Sequence, residues 1–568
     1  MSNSREYLKE FDVQAKIAQA VTAAINSRPD DPILFIGNYL IDLSKKRAEE
    51  TMMAEIARMK GPEGFDVIIV CCSNLAAENY WQQRLEATIE QVTGAAGTVL
   101  CVHEDWNGGA GNGLGTLYAF QKAAVKAAEL KGMDLSKAMA DGASVALYHT
   151  AGKGTRMAPL PGAENNNKPG VKLPALLNVG GEDVPITVLE CVMRQTSSYA
   201  AVRKGRCSVF WGDQIFVPSA GIQPSSKPAD ILAALRPMPT KEQWEAEELH
   251  QYGLIAVDAR GAATQLEKVT YEMAMAYLPP NVERVGTSLG SFSVDAPFMA
   301  ALLVEFAPEL AAKTATLDSD PHFWMPLTLK EADYVAVMAK KKTAEAEARA
   351  HYARMAAFRA RFDPTGGVLL ACVDVGKDTY WWDYGRLGLY LENNALLTLP
   401  SAKAEALRTF LGITARQHAN VLSGATQADE SAVLLKCALG GGTVGKGCVL
   451  VNVSAPYVEL EDCILVNVTS LVPIRGKAGL LYNVVHQASD GVLDASDTVR
   501  ADVFTPLDAP LEMRSKPSID GGQVWKEIVQ GNLLSFEDVY KKNLVLDVGE
   551  CTALATAAHT AARAKLAF

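Results

Sequence analysis

One stretch decides the fold: Ser144-Val145-Ala146-Leu147-Tyr148-His149-Thr150-Ala151-Gly152-Lys153-Gly154-Thr155-Arg156. An apolar, strand-like run here ends in a loop that carries two glycines and two cations. Glycines let the backbone approach a ligand closely and present successive N–H groups to an anion. Arg156 and the later Lys172 add donors of fixed positive charge. The stretch therefore predicts a strand that leads into a cradle for a triphosphate.

Upstream of this stretch, the sequence predicts a β-α-β unit. Residues 67–71 and 98–102 are short apolar runs, and residues 76–92 between them have a helical pattern. Short apolar strands that alternate with helices indicate a parallel sheet covered on both faces. A glycine-rich loop, 108–116, then opens the next predicted helix, and a loop in that position is a natural contact for an anion or a nucleotide.

Composition limits the class of protein. The chain has 568 residues and a formal net charge of -11, which argues against general nucleic-acid binding and against an anionic membrane surface. Residues 1–10 are polar and charged, no apolar run is long enough to span a membrane, and the ten cysteines form no C-x-x-C pair. We expect reduced, buried thiols and a cytoplasmic protein.

Carboxylates follow predicted strands downstream. Asp213 comes directly after an apolar run, and Asp383 lies between aromatic residues and a glycine. In open α/β sheets, ligands bind at the carboxyl ends of strands, and a carboxylate placed there can hold a metal ion. The alternative is that each aspartate is only a turn or capping residue.

Two short amphipathic helices are predicted within residues 11–45. Asp31 is placed to cap the second helix, with Pro32 at its first position. Short amphipathic helices need a partner for their apolar faces. The segment 28–40 resembles the Dpy-30 motif, which implies a homodimeric four-helix bundle that binds an amphipathic partner helix. The alternative is a helical hairpin packed on the chain's own catalytic domain.

The C-terminal third contains a repeat. Residues 448–454 are echoed by residues 463–469, a period of 15 residues, and a glycine-rich run precedes the first copy. Repeated short β-branched strands with glycine turns predict two or three stacked β-helix coils. A plain β-sandwich is the alternative.

Taken together, these motifs resemble those of the sugar-1-phosphate nucleotidylyltransferases. The family's G-x-G-T-R…K-x-x-P signature is similar to residues 152–156 with Lys172, and its G-D-N/Q metal motif to residues 212–214. Its Y-G-V-V, E-E-K-P and T-G-L-Y motifs are similar to residues 252–255, Glu267-Lys268 and 289–292, and its W-x-D-x-G motif to residues 381–385. The resemblance implies a Rossmann-like mixed-sheet (GT-A-like) α/β core. We expect docking helices at 11–48, a catalytic domain at 62–400 and, at 401–568, a domain with left-handed β-helix coils.

The order of the motifs departs from the family. Its base-contact loop normally follows the signature, but the similar loop here, Gly113-Leu114-Gly115-Thr116, precedes it. A rearranged strand order accounts for this, because neighbours in a parallel sheet need not be consecutive. The GTP–fucose-1-phosphate guanylyltransferases have a similar order. Lys153 within the signature is a second departure.

The resemblance implies a reaction between a nucleoside triphosphate and a sugar-1-phosphate, with UTP and glucose-1-phosphate as the expected pair and GTP with fucose-1-phosphate as the alternative. It assigns catalysis to Arg156 and Lys172 and Mg²⁺ to Asp213 and Asp383. The remaining implied contacts are nucleotide binding by Ala151, Gly152, Gly154, Thr155, Gly113, Gly115 and Thr116, and sugar binding by Gly253, Glu267, Lys268 and Gly290.

Two other classes of protein stay open. The chain could be a non-catalytic, dimeric docking scaffold that keeps the transferase fold. It could also be a glycosyltransferase, since Asp318-Ser319-Asp320 fits the D-x-D pattern of those enzymes.

Overall fold

The structure, a computed structural model, describes Leu8, residues 12–279 and residues 281–566. The predicted N-terminal segment starts at Phe11 and the predicted C-terminal domain ends at Phe568, and both positions lie outside the described residues. Helices α1 (Val13–Ser27) and α2 (Pro32–Arg58) come first. The predicted cap of α2 is confirmed, because the Asp31 carboxylate accepts the N–H groups of Ile33 at 3.1 Å and Leu34 at 2.9 Å.

Helix α2 is longer than the predicted short helix. Its C-terminal part is not exposed, because Met52 and Ile56 are buried in the main hydrophobic core. This part packs against a later helix, Ala402–Leu411. The hairpin of α1 and α2 is therefore continuous with the body of the protein.

The large sheet of the next part of the chain supplies the strand ends on which the candidate site is built. In chain order, the strands of this part are β1 Val67–Cys72, β2 Thr98–His103, β3 Val145–His149, β4 Lys172–Val179, β5 Glu182–Thr187, β6 Arg206–Trp211, β7 Gln214–Val217, β8 Ala229–Pro237, β9 Gly253–Asp258, β10 Ala263–Glu267, β11 Val282–Asp295, β12 Leu370–Asp374 and β13 Tyr380–Asp383.

Helices cover both faces of that sheet. In chain order, the helices of this part of the chain are α3 Leu75–Thr93, α4 Gly111–Lys131, α5 Leu135–Ala140, α6 Leu160–Ala163, α7 Val188–Ser197, α8 Lys241–Ala246, α9 Tyr271–Tyr277, α10 Ala296–Glu305, α11 Ala307–Ala312, α12 Met325–Thr328, α13 Glu331–Lys340, α14 Glu345–Phe362, α15 Leu387–Leu396 and α16 Ala402–Leu411.

The strand order is β2-β1-β3-β6-β11-β8-β12, with β9 and β10 beside the first half of β11. Strands β2, β1, β3 and β6 are mutually parallel, whereas β11 runs antiparallel to β6 and β8. Strand β3, which leads into the glycine-rich loop, lies between β1 and β6. The third strand of the sequence thus has the first and the sixth as its neighbours, so strands that are adjacent in this sheet are not consecutive in the chain.

Both faces of the parallel half are buried, as the continuous apolar runs predict. Along β1, Ile68, Val70 and Cys72 enter one hydrophobic cluster, and the alternate residues Val67, Ile69 and Cys71 enter another. The first cluster continues through helices α3 and α7 and strand β4 into the C-terminal strands, so the C-terminal part of the chain shares one core with this face of the sheet.

The C-terminal part consists of short, mostly parallel strands. They are β14 Gln417–His418, β15 Val421–Leu422, β16 Thr426–Ala428, β17 Val433–Leu435, β18 Ala438–Leu439, β19 Gly442–Val444, β20 Val449–Ala455, β21 Val458–Glu461, β22 Ile464–Ser470, β23 Ile474–Lys477, β24 Leu480–His486, β25 Leu493–Asp494, β26 Val499–Val503 and β27 Leu511–Ser515.

These strands alternate between two sheets as the chain advances. One sheet has the path β14-β17-β20-β22-β24-β26-β27, and the other has the order β16-β19-β21-β23-β25. The 15-residue repeat is confirmed as a parallel register, since Val449 pairs with Ile464 and Val453 with Val468. The parallel stacking extends beyond the two or three layers that were expected, because β17 also pairs with β20, and β24 with β22 and β26.

Two helices end the described chain, α17 (Phe536–Asn543) and α18 (Val548–Arg563). Helix α18 packs against α3 and against strands β22 and β24, which ties the end of the chain to the main sheet. No helix among the described residues is both long and apolar enough to cross a membrane.

Candidate active site

A cavity of 590 Å³ opens at the carboxyl ends of β2, β3 and β6. Parallel strands place their C-terminal loops together, and this edge is where open α/β sheets bind ligands. Charged and polar side chains, a tryptophan and loop backbone form its walls: Glu104, Gly109, Gly111, Asn112, His149, Thr150, Ala151, Gly152, Lys168, Pro169, Trp211, Gly212, Asp213 and Gln214.

The signature loop, residues 151–156, faces the cavity at its start and the C-terminal part of the chain further on. Ala151 and Gly152 line the cavity, as predicted for a phosphate cradle. Gly154 has a φ of +63° and turns the chain into a short 3₁₀ segment, Thr155–Met157. Gly154 and Thr155 are not among the cavity-lining residues and face the C-terminal part of the chain instead.

The two predicted metal carboxylates come together beside Arg156. Strands β7 and β13 pair so that Asp383 lies opposite Gln214, the residue after Asp213. A methyl group added at Gly385 would lie 2.9 Å from Oδ1 of Asp383, 3.4 Å from Oδ2 of Asp213 and 3.9 Å from Nη2 of Arg156. Burial, together with the nearby charge of Asp213, raises the pKa of Asp383. A cation placed between the carboxylates would relieve this repulsion.

The lysine in the cavity is Lys168 rather than Lys172. The Lys168 ammonium forms an ion pair with Asp213 Oδ2, and both side chains are largely buried. The Lys172 ammonium pairs with Glu164, outside the set of cavity-lining residues. Lys172 begins strand β4, which packs on the C-terminal strands, so its side chain is held in a domain contact.

The surroundings of Lys172 form a buried polar network. Glu164 Oε1 also accepts the hydroxyl of Tyr482 at 2.5 Å, and that hydroxyl accepts the Lys172 backbone N–H at 2.8 Å. The hydroxyl of Tyr390 donates to the Lys172 carbonyl at 2.8 Å. These contacts join the region around Lys172 to the C-terminal strands. They give Lys172 a structural role that requires no bound ligand.

The glycine-rich loop differs from its prediction. Helix α4 begins at Gly111, and the N–H groups of Gly113 and Leu114 donate to the Leu317 carbonyl at 2.9 and 3.1 Å. Gly113, Gly115 and Thr116 are buried and do not line the cavity. Gly113 lies under this crossing segment, whereas Gly115 and Thr116 lie against the cavity-lining side chain of His149. Gly109, Gly111 and Asn112, just before them, line it instead.

A carboxylate and two aromatic rings form the end of the cavity near this loop. Glu104 follows β2, and its Oε1 accepts the Ala110 N–H at 2.9 Å. Burial raises the pKa of Glu104. The rings of His149 and Trp211 lie 5.4 Å apart at 31°, and His149 also contacts the Thr116 hydroxyl at 2.9 Å. Burial lowers the pKa of His149 to about 4, so this ring is neutral at neutral pH.

None of the predicted sugar residues lines the cavity. Gly253 and Glu267 face each other in the pairing of β9 with β10. Lys268 follows at a φ of +54° with its side chain mostly exposed. Gly290 has a φ of +73° and packs against the indole of Trp211, which does line the cavity.

The D-x-D motif lies on the segment that crosses the glycine-rich loop. Asp318 Oδ1 accepts the Asn112 N–H at 3.0 Å, and the Ser319 N–H donates to Asn112 Oδ1 at 2.6 Å. Burial, with the nearby charge of Glu267, raises the pKa of Asp320 to about 7. The motif therefore joins the predicted base-contact loop to the predicted sugar residues.

Within the described residues, no cluster of three or more histidine, cysteine or acidic side chains is arranged to hold a metal ion. Asp213 and Asp383 fit Mg²⁺ nevertheless, since this ion is commonly held by one or two carboxylates while substrate phosphates and water complete its octahedron. Sequence reasoning missed Glu104, Lys168 and Trp211. Glu104 follows a predicted strand and could have been found by the strand-end rule, whereas nothing in the sequence around Lys168 distinguishes it from Lys172.

No family model and no curated protein matches this chain.

Proposed function

We propose that this protein is a sugar-1-phosphate nucleotidylyltransferase, which converts a nucleoside triphosphate and a sugar-1-phosphate to a nucleotide sugar and pyrophosphate. One observation carries the proposal. Two carboxylates and an arginine converge within 4 Å of one point at Gly385, and one of those carboxylates also pairs with Lys168 in the wall of the cavity. Such a set of opposite charges beside exposed loop backbone suits a polyphosphate and its cation.

The residues take the following roles. Gly152 backbone and Arg156 bind the β- and γ-phosphates, and Lys168 neutralises the α-phosphate. Asp213 and Asp383 hold Mg²⁺, which when bound neutralises charge on the phosphates. An oxygen of the sugar phosphate attacks the α-phosphorus, and the bond from that phosphorus to the bridging oxygen breaks and releases pyrophosphate. A phosphate monoester is already nucleophilic, so the protein contributes positioning and electrostatic stabilisation.

The base end of the cavity favours GTP over the expected UTP. Glu104 offers carboxylate oxygens, which only accept hydrogen bonds when ionised. Guanine presents two adjacent donors, N1–H and the 2-amino group, to such an acceptor. Uracil presents a single N–H between two carbonyl oxygens, which a carboxylate repels. Trp211 and His149 add ring faces on which any base can stack.

The sugar end is formed by Gly253 and Glu267, with Lys268 beside them. In the proposed complex the Glu267 carboxylate accepts sugar hydroxyls and Lys268 pairs with the sugar phosphate. The side chain of Lys268 is mostly exposed, so this contact forms when substrate is bound. Fucose-1-phosphate with GTP, the alternative drawn from motif order, agrees with the base end, and glucose-1-phosphate with UTP is the competing pair.

We also propose a fold assignment for each of the two large parts of the chain. The main sheet corresponds to a GT-A-like nucleotidyltransferase core, and the two alternating parallel sheets of the C-terminal part correspond to left-handed β-helix coils. The strand order, with its parallel half and the antiparallel β11, supports the first assignment. The stacked parallel registers support the second.

The N-terminal helices form the dimer in this proposal. Seven large apolar side chains of α1 and α2 are exposed: Ile17, Val21, Ile25, Ile33, Leu34, Ile41 and Met53. Burying Ile33, which is 84% exposed, and Ile25, which is 66% exposed, requires a partner surface. A second copy of the hairpin supplies an equivalent apolar face, and an amphipathic helix of another protein is the further partner that the Dpy-30 resemblance implies.

The experiment is pyrophosphate release by the full chain with Mg²⁺, each of the four common ribonucleoside triphosphates, and a panel of sugar-1-phosphates. Release that requires both a nucleotide and a sugar phosphate supports the proposal, and the preferred nucleotide decides between GTP and UTP. Silence across the panel favours the docking scaffold. Transfer from a nucleotide sugar to an acceptor, without pyrophosphate, favours the glycosyltransferase.

A further inference from the structure

The C-terminal strap, residues 516–543, connects β27 to the end of α17 and packs on the signature loop. A methyl group added at Gly521 would lie 2.6 Å from the Thr155 carbonyl oxygen and 2.8 Å from Cβ of Ala158. A methyl group added at Gly522 would lie 3.2 Å from Cγ of Arg156. The strap therefore touches the signature loop so closely that only glycine fits at Gly521.

A second contact involves Lys153, the residue by which this signature departs from its family. The Lys153 ammonium lies 5.4 Å from the centre of the Tyr540 ring, in the geometry of a cation–π contact. The Tyr540 carbonyl accepts Nδ2 of Asn166 at 2.7 Å, and Nδ2 of Asn543 donates to the Gly162 carbonyl at 2.9 Å. The strap is thus bound on both sides of the 3₁₀ segment that carries Arg156.

The strap also has internal bonds that fix its shape. The Asp520 carboxylate accepts the Gly522 N–H at 2.8 Å, which holds the turn at the two glycines. The Trp525 carbonyl accepts the Glu537 N–H at 2.9 Å, and the Trp525 ring meets that of Tyr540 edge to face at 5.8 Å. The surface of the strap that contacts the signature loop is therefore held in shape by the strap's own hydrogen bonds and ring contact.

Arg156 needs such support. Its side chain is exposed, and among the described residues no hydrogen bond or ion pair holds its guanidinium. The neighbouring backbone atoms and the Cγ of Arg156 are placed by the two strap glycines. A group that stabilises a transition state has to be held in position before the reaction, and a displacement of 1 Å can cost about 10²-fold in rate.

We propose that the C-terminal strap is a positioning element of the active site, which holds Thr155 through Gly521 and Gly522 and the preceding loop through Tyr540, and so fixes Arg156 for the β- and γ-phosphates. The role given to Arg156 rests on the proposed function. The contact with the strap then explains why a lysine stands at position 153, since in this proposal Lys153 anchors the loop to the strap and contacts no substrate. Displacement of the strap would therefore weaken phosphate binding by the loop without any substitution of a catalytic residue.

The test compares Gly521→Ala with Gly424→Ala. An added methyl group at Gly424, also in the C-terminal part, meets no atom within 4 Å, and neither glycine has a positive φ, so the pair isolates the contact from backbone strain. Two quantities are measured on the full chain: KM and kcat with the nucleotide that the panel identifies, and deuterium uptake by peptides covering residues 150–159. Tyr540→Leu, which removes the ring and keeps the backbone bonds, is the second variant.

We expect Gly521→Ala to lower kcat/KM by about 10²-fold with a rise in nucleotide KM and faster deuterium uptake at 150–159, while KM for the sugar phosphate stays within twofold. Gly424→Ala behaves as the parent, and Tyr540→Leu shows the same changes to a smaller extent. Unchanged uptake and unchanged nucleotide KM in both strap variants would overturn the proposal. If the parent protein transfers no nucleotide, the proposed function fails, and deuterium uptake alone then decides whether the strap orders the loop. If Gly521→Ala does not fold, Tyr540→Leu decides.

Discussion

Lys168 and Lys172 are expected to respond oppositely to the same substitution. Lys168→Met removes the ammonium that lies in the cavity and pairs with Asp213, and methionine keeps the length of the apolar stem. Loss of one electrostatic donor to a transition state typically lowers kcat by about 10²–10³-fold. Methionine keeps most of the packing contacts of the Lys168 stem, and Asp213, which is 22% exposed, is partly hydrated once it is unpaired, so we expect a smaller fall in melting temperature than at Lys172.

Lys172→Met is the matched control. It leaves the Glu164 carboxylate, 7% exposed, with the Tyr482 hydroxyl as its remaining close partner. Removing one partner of a buried ion pair costs about 3–5 kcal/mol, and the partial exposure of this pair puts the cost near the lower value. We expect a clear fall in melting temperature, with kcat reduced less than tenfold at a temperature where the variant is folded.

The assay is the initial rate of pyrophosphate release under saturating substrates, with melting followed by circular dichroism on the same samples. A loss of about 10²-fold in kcat in a stable Lys172→Met variant, together with parental activity in Lys168→Met, would contradict these two roles. In that event the Glu164 pair is a resting arrangement that opens when nucleotide binds, and the lysine implied by the family resemblance is the catalytic one.

Three further outcomes follow from the structure. Glu104→Gln should reduce the preference for GTP over UTP by about 10-fold or more, since the amide offers only one acceptor oxygen; equal loss with both nucleotides would reject base reading by this residue. Burial beside Thr469 lowers the pKa of His559 to about 3, so the unfolded chain binds more protons and stability falls as pH drops below about 6.5. His559→Gln should therefore remove about 2 kcal/mol of the stability lost between pH 7 and pH 5. Ile25→Glu combined with Ile33→Glu should give monomers in sedimentation velocity; an unchanged oligomer would place the interface elsewhere.

The sequence predicted best those features that depend on local pattern. The apolar runs of β1, β2 and β3 became strands buried on both faces, and the cap at Asp31 formed as its residue types indicate. The repeat of 15 residues became a parallel register. In each case the prediction depends on a periodicity or on neighbouring residues, and contacts with distant parts of the chain do not easily change such local structure.

Features that depend on distant partners were predicted less well. Lys172 is held in a domain contact by Tyr482, 310 residues away, as well as by the nearby Glu164, and Gly113 is buried by the distant Leu317. The strap was not predicted, because its contact with the signature loop joins segments more than 360 residues apart. Long-range packing of this kind cannot be predicted from a single sequence. Its only trace here is Lys153, a residue that the signature motif does not explain.

In the proposed function, Asp213, Asp383 and the phosphate cradle carry Mg²⁺-dependent nucleotidyl transfer. Its most direct test is the exchange of labelled pyrophosphate into nucleoside triphosphate, run in the presence of the nucleotide sugar and Mg²⁺. We expect exchange by the parent protein and a loss of about 10²–10³-fold in both Asp213→Ala and Asp383→Ala. Near-normal exchange in both variants would contradict the assignment of the site.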